Sequence, residues 1–553
     1  NRGMELYYDD EAINVAKASN NDINSFFNNT YLTFNKTFGR KHLITSNSGF
    51  NIQSNKYQFD WGLTKNAHEN DEYRMIQDGQ NDQRELGGLN RNWNWISFYE
   101  YVNYSFMDRY LFSASISLDG SSRVGDNAAN TLMIDSIPFG VFYSAGAAWR
   151  ISQESFLRNV SWIEDLKLRF TIGRSGNDDL GEASASNYYE AVKFRQTVGL
   201  YPATVANKQL TYESVLQINT GLDIGLFASR YTLSVDLVQS RTKDMLIFSP
   251  LESYFGYDFR QENGGEMINS GFEVSTFMRL VDKGLFKWDL QANIASFSNK
   301  IIELKGGQLS YPIPGGEKIN MEGYPANSFY GLVFTGVYKD QADALADGYV
   351  NDKGLPFQAG DARFEDIAGP GGSRPDGIID ENDKTIIGST QPDLFGGIAN
   401  AFTYGRFRLS AHIQFSSGNE VFNYMRYRNE SMSSIINQST TVLNRWQQEG
   451  QETMIPKAYW NDPLGNSAFS TRWIEDGSYI RLKNVTLSYR IPDKFLAFRN
   501  AEFYVSANNI LTLSNYLGYD PEFAYSYSPV FQGVDYGQTP QVRQFMVGVK
   551  LGF

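Results

Sequence analysis

Clustered acids are the residues most obviously placed to do chemistry. Gly360-Asp361-Ala362-Arg363-Phe364-Glu365-Asp366 is followed, after the stretch Ala368–Pro375, by Asp376-Gly377-Ile378-Ile379-Asp380-Glu381-Asn382-Asp383. Hard cations want several oxygens at short range, and a turn glycine lets the chain wrap the ion. Read from Asp376, the spacing follows the back half of an EF-hand-like loop. Asp376 takes the fifth position, the Ile378 carbonyl the seventh, Asp380 the ninth and Asp383 the twelfth, with Asp366 as first ligand. Calcium is the cofactor this pattern suits, and a solvated acidic loop is the other reading. Three features depart from the motif: the inserted stretch, the missing third ligand, and Asp383 where a bidentate Glu is usual.

Catalytic patterns are missing. The chain has no Cys and three His, at 42, 68 and 412, none in an H-E-x-x-H spacing. It contains no nucleophile elbow, no phosphate-binding P-loop and no dinucleotide fingerprint. An enzyme is not expected. A formal net charge of -13 argues against a nucleic-acid binder, which needs cations to replace phosphate counterions.

Aromatic side chains supply a second kind of chemistry. Tyr254, Phe255 and Tyr257 fall in one long connection, Tyr424 and Trp460 in another, and Tyr516 and Tyr519 in a third. Exposed rings stack on sugar faces or peptide side chains, and the same rings also serve to pack loop on loop. These seven are the candidate ligand or lid contacts.

The elements that must position these residues are strands. Phe407, Leu409, Ala411, Ile413 and Phe415 alternate with Arg408, Ser410, His412 and Gln414. Tyr231–Leu237, Trp288–Ile294 and Tyr110–Leu118 show the same period of two. The chain closes on Phe545, Val547, Val549, Leu551 and Phe553 at alternate positions; Phe545, Val549, Leu551 and the terminal Phe553 form the pattern of an outer-membrane assembly signal. Many of these segments outrun sandwich strands and suit a tilted membrane-spanning strand of about 9–11 residues.

Connections alternate in length. Short turns at 39–40, 107–109, 228–230, 280–285, 405–406 and 491–499 are separated by long connections at 56–92, 119–138, 176–211, 243–263, 303–394, 419–478 and 514–540. Segment 151–164 is intermediate and has room for a short helix, and Val333–Tyr338 is assigned to a structured external loop. Short periplasmic turns alternating with long external loops mark an outer-membrane barrel. A 15% aromatic share without a long apolar run fits the same picture, because only every second strand residue meets lipid. The expectation is an all-β transmembrane antiparallel barrel of about sixteen strands. It occupies residues 1–553, with large external loops at 303–394 and 419–478. A passive porin and a soluble extracellular all-β glycan-binding or adhesive protein share much of this pattern.

Several stretches resemble the SusC-like (SusC/RagA) family of TonB-dependent outer-membrane transporters. They are Gly360–Asp366 with Asp376–Gly388 running into Ser389-Thr390-Gln391-Pro392-Asp393-Leu394-Phe395-Gly396-Gly397, Val442-Leu443-Asn444-Arg445-Trp446, Arg472–Val485, Ser506–Ile510, Gly518-Tyr519-Asp520-Pro521-Glu522, Val547–Phe553 and the early Leu32–Leu43. The resemblance implies a 22-strand barrel with a plugged lumen. Against that number, this chain reads as the C-terminal barrel portion, without the plug and first strands; its start at Asn1-Arg2-Gly3 fits a processed or partial N-terminus. The resemblance further implies residence in a Gram-negative outer membrane, in contact with its lipid, and a SusD-like surface lipoprotein as lid. It implies energy from the TonB complex, and an oligosaccharide or oligopeptide as cargo.

Overall fold

The computed structural model describes residues 15–553 apart from 66–69, 71–74, 76, 78–83, 180–184, 186–188, 195–196, 203–204, 253, 255, 258, 370–371, 493–498, 524 and 553. Antiparallel strands dominate it. One sheet holds 16 strands, and all but one lie on a single path in which each strand pairs with the next. The path runs β1 (Val15–Phe38), β2 (His42–Lys65), β3 (Glu85–Phe106), β4 (Tyr110–Ser121), β5 (Ile137–Arg150), β6 (Ile163–Asn177), β7 (Glu213–Leu226) and β8 (Tyr231–Lys243). It continues β9 (Gly265–Lys283), β10 (Phe286–Leu304), β11 (Leu394–Tyr404), β12 (Phe407–Ser417), β13 (Tyr479–Arg490), β14 (Arg499–Ser514) and β15 (Gln544–Gly552). The strand off the path, Leu132–Ile134, folds back on β5. The count of about sixteen and the alternation of short and long connections both hold. The intermediate connection keeps a single 3-10 turn at Ile151–Gln153, and Phe334–Val337 pairs with Ala362–Phe364 away from the large sheet.

The short turns are built by local chemistry. Between β1 and β2, Gly39 and Arg40 both take positive φ (53° and 56°) and Lys41 N donates to the Phe38 carbonyl at 3.2 Å. That is the primed turn whose twist matches two antiparallel strands.

By contact density the chain divides into two units. The first comprises residues 1–147, 171–217 and 242–265. Within it Phe112 and Ile116 are exposed on one face of β4. On the other face Ser113, Ser115 and Ser117 stand opposite Asn103, Tyr101 and Tyr99 of β3. The second unit comprises 148–170, 218–241 and 266–553. Its wall strands repeat the pattern: on β15, Phe545 is 76% and Val547 69% exposed, and Val549 and Leu551 follow them. Leu487, Val505, Leu511 and Leu513 are exposed in the same way. Phe553 lies outside the described residues.

Rows of bare alternate hydrophobics distinguish this sheet from a sandwich, where they would meet across a core. Ring-bearing residues gather where the short turns lie. Tyr404, Phe407, Tyr489 and Phe503 are successive register partners across β11–β14, and Trp162, Phe227 and Tyr231 contact one another at 6.3 and 6.0 Å between centroids. Such a band suits the interface between hydrocarbon and water.

The polar face is neutralised pair by pair. Arg169 donates to both oxygens of Asp223 (2.8 and 2.9 Å) and both of Asp236 (3.0 Å each), and Lys167 adds 3.0 Å to Asp223. Arg279 holds Asp289 at 2.8 Å.

The apolar rows generate a direct test. Leu237, 58% exposed at the middle of β8, is expected on the hydrocarbon side, so Leu237→Arg should lower stability by about 2–4 kcal/mol. Urea unfolding of the full-length protein in lipid vesicles measures it, and a neutral result would place that face in water.

Candidate functional site

Three long connections of the second unit, 305–393, 418–478 and 515–543, fold into an assembly with its own cores. One core joins Phe329 and Ile387 of the first connection, Phe422 and Trp473 of the second and Val534 of the third. Phe422 meets Phe469 at 4.8 Å, edge to face, and the Trp473 indole donates to the Ala468 carbonyl at 3.1 Å. A second core packs Tyr338, Phe357, Ala362, Phe364 and Ile379 against Leu464. Short strands tie the connections together: Glu420–Asn423 lies between Ile474–Asp476 and Val534–Asp535.

Several of the sequence stretches singled out above meet here. Arg481 is almost fully buried and ion-pairs with Asp520 and, at 2.8 Å, with Glu522. Lys483 donates to both Glu522 oxygens, at 2.7 and 2.8 Å. The segment Arg481-Leu482-Lys483 thereby clamps Gly518–Glu522 onto β13. Likewise Gly360, at φ +83°, packs so closely on the Trp446 ring that a Cβ there would come within 2.3 Å. The Trp446 indole donates to the Lys339 carbonyl at 2.9 Å.

The acidic loop closes on its own backbone. Asp366 accepts from Gly377 N at 2.7 Å and Asp376 N at 3.3 Å. Asp383, fully buried, accepts from Ile367 N (2.7 Å), Ala368 N (3.2 Å) and Asp380 N (2.8 Å). Asp380 caps Asn382 N at 2.7 Å, and Asp376 takes Ile378 N at 3.0 Å. Among the described residues no three acidic or His side chains come together as a group able to hold a metal. In this arrangement the oxygens of Asp366, Asp376, Asp380 and Asp383 are turned to backbone amides of the same loop. Burial holds the Asp383 carboxyl above its ordinary range, against the pull of its amide donors.

The aromatic candidates divide sharply. Tyr519 is 80% and Trp460 62% exposed on the loop assembly, joined by Leu517. Tyr516 is only 8% exposed; its hydroxyl donates to Asp535 at 2.6 Å. Tyr424 stacks on Tyr536 at 4.5 Å and on Tyr427 at 5.9 Å. Tyr516 and Tyr424 are thus packing residues, corrected from the exposed rings the sequence suggests. In the first unit Tyr254 is exposed and Tyr257 half-buried; Phe255 lies outside the described residues. Exposed Ile435, beyond Tyr424 in the same connection, has no signal in the sequence.

Each unit also has a concavity on the polar side of its strands. In the first, about 660 Å³ is lined by Tyr99, Ser115, Ser117, Asp119, Ser144 and Gln217. In the second, about 610 Å³ is lined by Asp223, Ser234, Thr276, Gln291, Asn293 and His412. Hydroxyls and amides line both beside apolar side chains such as Leu233 and Phe142, a mixture that suits contact with a polar solute bearing apolar faces.

No protein-family model matches the chain. The TonB-dependent receptor P3 of Formosa agariphila is 30% identical over 543 residues, covering 95% of this chain and 52% of that protein. The TonB-dependent receptor SusC of Bacteroides thetaiotaomicron is 28% identical over 491 residues, covering 83% and 44%. A solved structure of the RagAB peptide transporter matches 98% of this chain and 56% of the other, with a TM-score of 0.80 and 25% identity. The chain spans about half the length of the curated relatives it matches.

Two outcomes follow from the buried charges. Arg481→Ala leaves Asp520 and Glu522 facing each other and should cost about 3–5 kcal/mol, read as lost hydrogen-exchange protection over 516–522. Lys318, fully buried with its Nζ on the Gln532 carbonyl at 2.5 Å, is pulled down to about 7 by burial. Below that pH the folded loop carries the full penalty of a buried ammonium. Between about 7 and the ordinary lysine range the unfolded chain binds the extra proton, so stability rises with pH. Exchange protection of Gly316–Met321, corrected for intrinsic rates, should increase across that window and become flat in Lys318→Met.

Proposed function

We propose, since the chain belongs to the SusC-like family of TonB-dependent outer-membrane receptors, that its strands form the wall, and its long connections the outer rim, of an energy-coupled nutrient importer. Similarity to the TonB-dependent receptor SusC and to the RagAB peptide transporter supports an outer-membrane β-barrel with a role in transport. The observation that carries the reading is the apolar face without protein cover: Leu487, Val505, Val547 and Val549 are exposed at alternate positions, with a band of rings at the short-turn end. Only hydrocarbon rewards that arrangement, because in water so long an apolar surface drives association.

The cargo is a bulky polar nutrient, an oligopeptide or an oligosaccharide. The hydroxyl- and amide-lined polar face and the exposed Trp460 and Tyr519 support a solute gripped by ring stacking and many weak hydrogen bonds. A SusD-like lipoprotein would cover the loop assembly, and the TonB complex would supply the work. A solute of that size needs a bore too wide to leave open, which is why an importer of this kind couples opening to energy. The chain's own side chains bind and guide.

The test combines location with energy dependence. The native protein should fractionate with the outer membrane. Deleting its gene should abolish growth on one oligopeptide or oligosaccharide class, and deleting the TonB gene should do the same. Growth that survives loss of TonB would leave a passive pore in its place.

A further inference from the structure

At the short-turn end of β11–β15 the two faces of the sheet differ strongly. Tyr404, Phe407, Tyr489 and Phe503 make the ring row on the apolar face. One residue along, Thr403, Arg408 and Ser488 are register partners and share the opposite face. Arg490 lies two residues from Ser488 on that same face and pairs in register with Glu502, which is also the partner of Lys550. A cleft of about 490 Å³ opens here, lined by Thr403, Arg406, Arg408, Ser488, Arg490 and Glu502.

The charge balance sets this cleft apart. Elsewhere on the strands of this unit, Lys167, Arg169, Arg279, Arg481 and Lys483 each have a carboxylate within 3.0 Å. Among the described lining residues Arg406 and Arg408 add two guanidinium groups to Arg490, and the carboxylate there, Glu502, is shared in register by Arg490 and Lys550. Arg406 and Arg408 are exposed and form no ion pair among the described residues. Guanidinium groups present parallel N–H pairs to a planar oxyanion, and two held on adjacent backbone positions converge on one ligand. The volume falls in the range of small-solute pockets.

We propose that this cleft binds an anionic group, a carboxylate, sulfate or phosphate, of the transported solute, as a station at the short-turn end of its path. The word "transported" rests on the importer reading; the anion site does not. A membrane lipid is the other source of such a group. Thr403, Arg408, Ser488, Arg490 and Glu502 share the face opposite the ring row, and of that row Phe407 alone is among the lining residues, which favours a solute over a headgroup held at the level of the rings.

The experiment uses the full-length receptor in neutral detergent, with a trisulfonated pyrene dye as probe and fluorescence anisotropy as readout. Saturable binding is expected at low salt, weakening as salt screens it, displaced by inorganic phosphate and by citrate and unaffected by glucose. Arg406→Gln with Arg408→Gln should weaken it roughly tenfold or more. Glu502→Gln should tighten it, and Arg408→Lys should keep most of it. Unchanged circular dichroism and heat-modifiable migration confirm that each variant folds; for one that does not, the tightening in Glu502→Gln decides. Binding that is absent in the wild type, or the same in the double variant, overturns the proposal. So does displacement by phosphatidylglycerol micelles at matched charge, which would make the cleft a headgroup site. Loss of dye binding with TonB-dependent growth intact removes the cleft alone; TonB-independent growth with dye binding intact removes only the importer.

Discussion

Every backbone N–H and C=O inside hydrocarbon needs a partner within the protein, and that requirement dictates the rest of this molecule. A strand meets it only by pairing on both sides, so the chain is spent on one long sheet in which successive strands are neighbours. Among the described residues, side chains on the apolar face of its strands are exposed in rows. Side chains such as Leu237 and Val547 therefore contribute nothing to a protein core and everything to contact with lipid. The polar face cannot be left with bare charges either. Arg169 answers this by holding two aspartates from neighbouring strands, with Lys167 completing the neutralisation.

Conventional folding, with buried apolar cores, is displaced into the long connections. Phe329, Phe422, Trp473 and Val534 come from three separate connections and meet in one cluster. The assembly also buries charge: Lys318 is fully inside it, and Arg481 of β13 is almost fully covered beneath it. Burying such groups costs several kcal/mol each before their partners repay it, so their contribution is to fix which segments meet. Arg481 and Lys483 can satisfy their charge only if Asp520 and Glu522 arrive from another connection. The acidic loop follows the same economy with backbone amides as donors, three of them on Asp383 alone.

The period of two and the parity of connection lengths made the sheet legible before any coordinates, because both are local properties of the chain. The rim was legible only in part. Tyr516 and Tyr519 are three residues apart in one aromatic stretch, yet one is buried on Asp535 and the other stands in solvent. Nothing in their spacing decides this; Asp535, which fixes Tyr516, belongs to the far end of the same connection. Spacing was silent on orientation at the acidic loop for a related reason. A ligand pattern lists oxygens without saying where they point, and these point at amide hydrogens. The link between Arg481 and Glu522 was invisible although both segments stood out, since pairing across 41 residues is a fact of three dimensions.

Charge is distributed along the sheet in a way that bears on passage. The connection 305–393 carries fourteen acids against seven bases, the middle of the wall is paired off, and the short-turn end of β11–β14 has guanidinium groups in excess. A conduit must bind its solute strongly enough to admit it and weakly enough to release it. Paired charges such as Arg169 with Asp223 and Arg279 with Asp289 present hydrogen-bonding surface without a deep electrostatic well. Arg406 and Arg408, which have no such partner among the described residues, lie instead at the short-turn end, where salt screens exposed charge. The strand pairing that satisfies the backbone also sets this pattern, because register decides which cation finds an acid opposite and which, like Arg408, finds a serine.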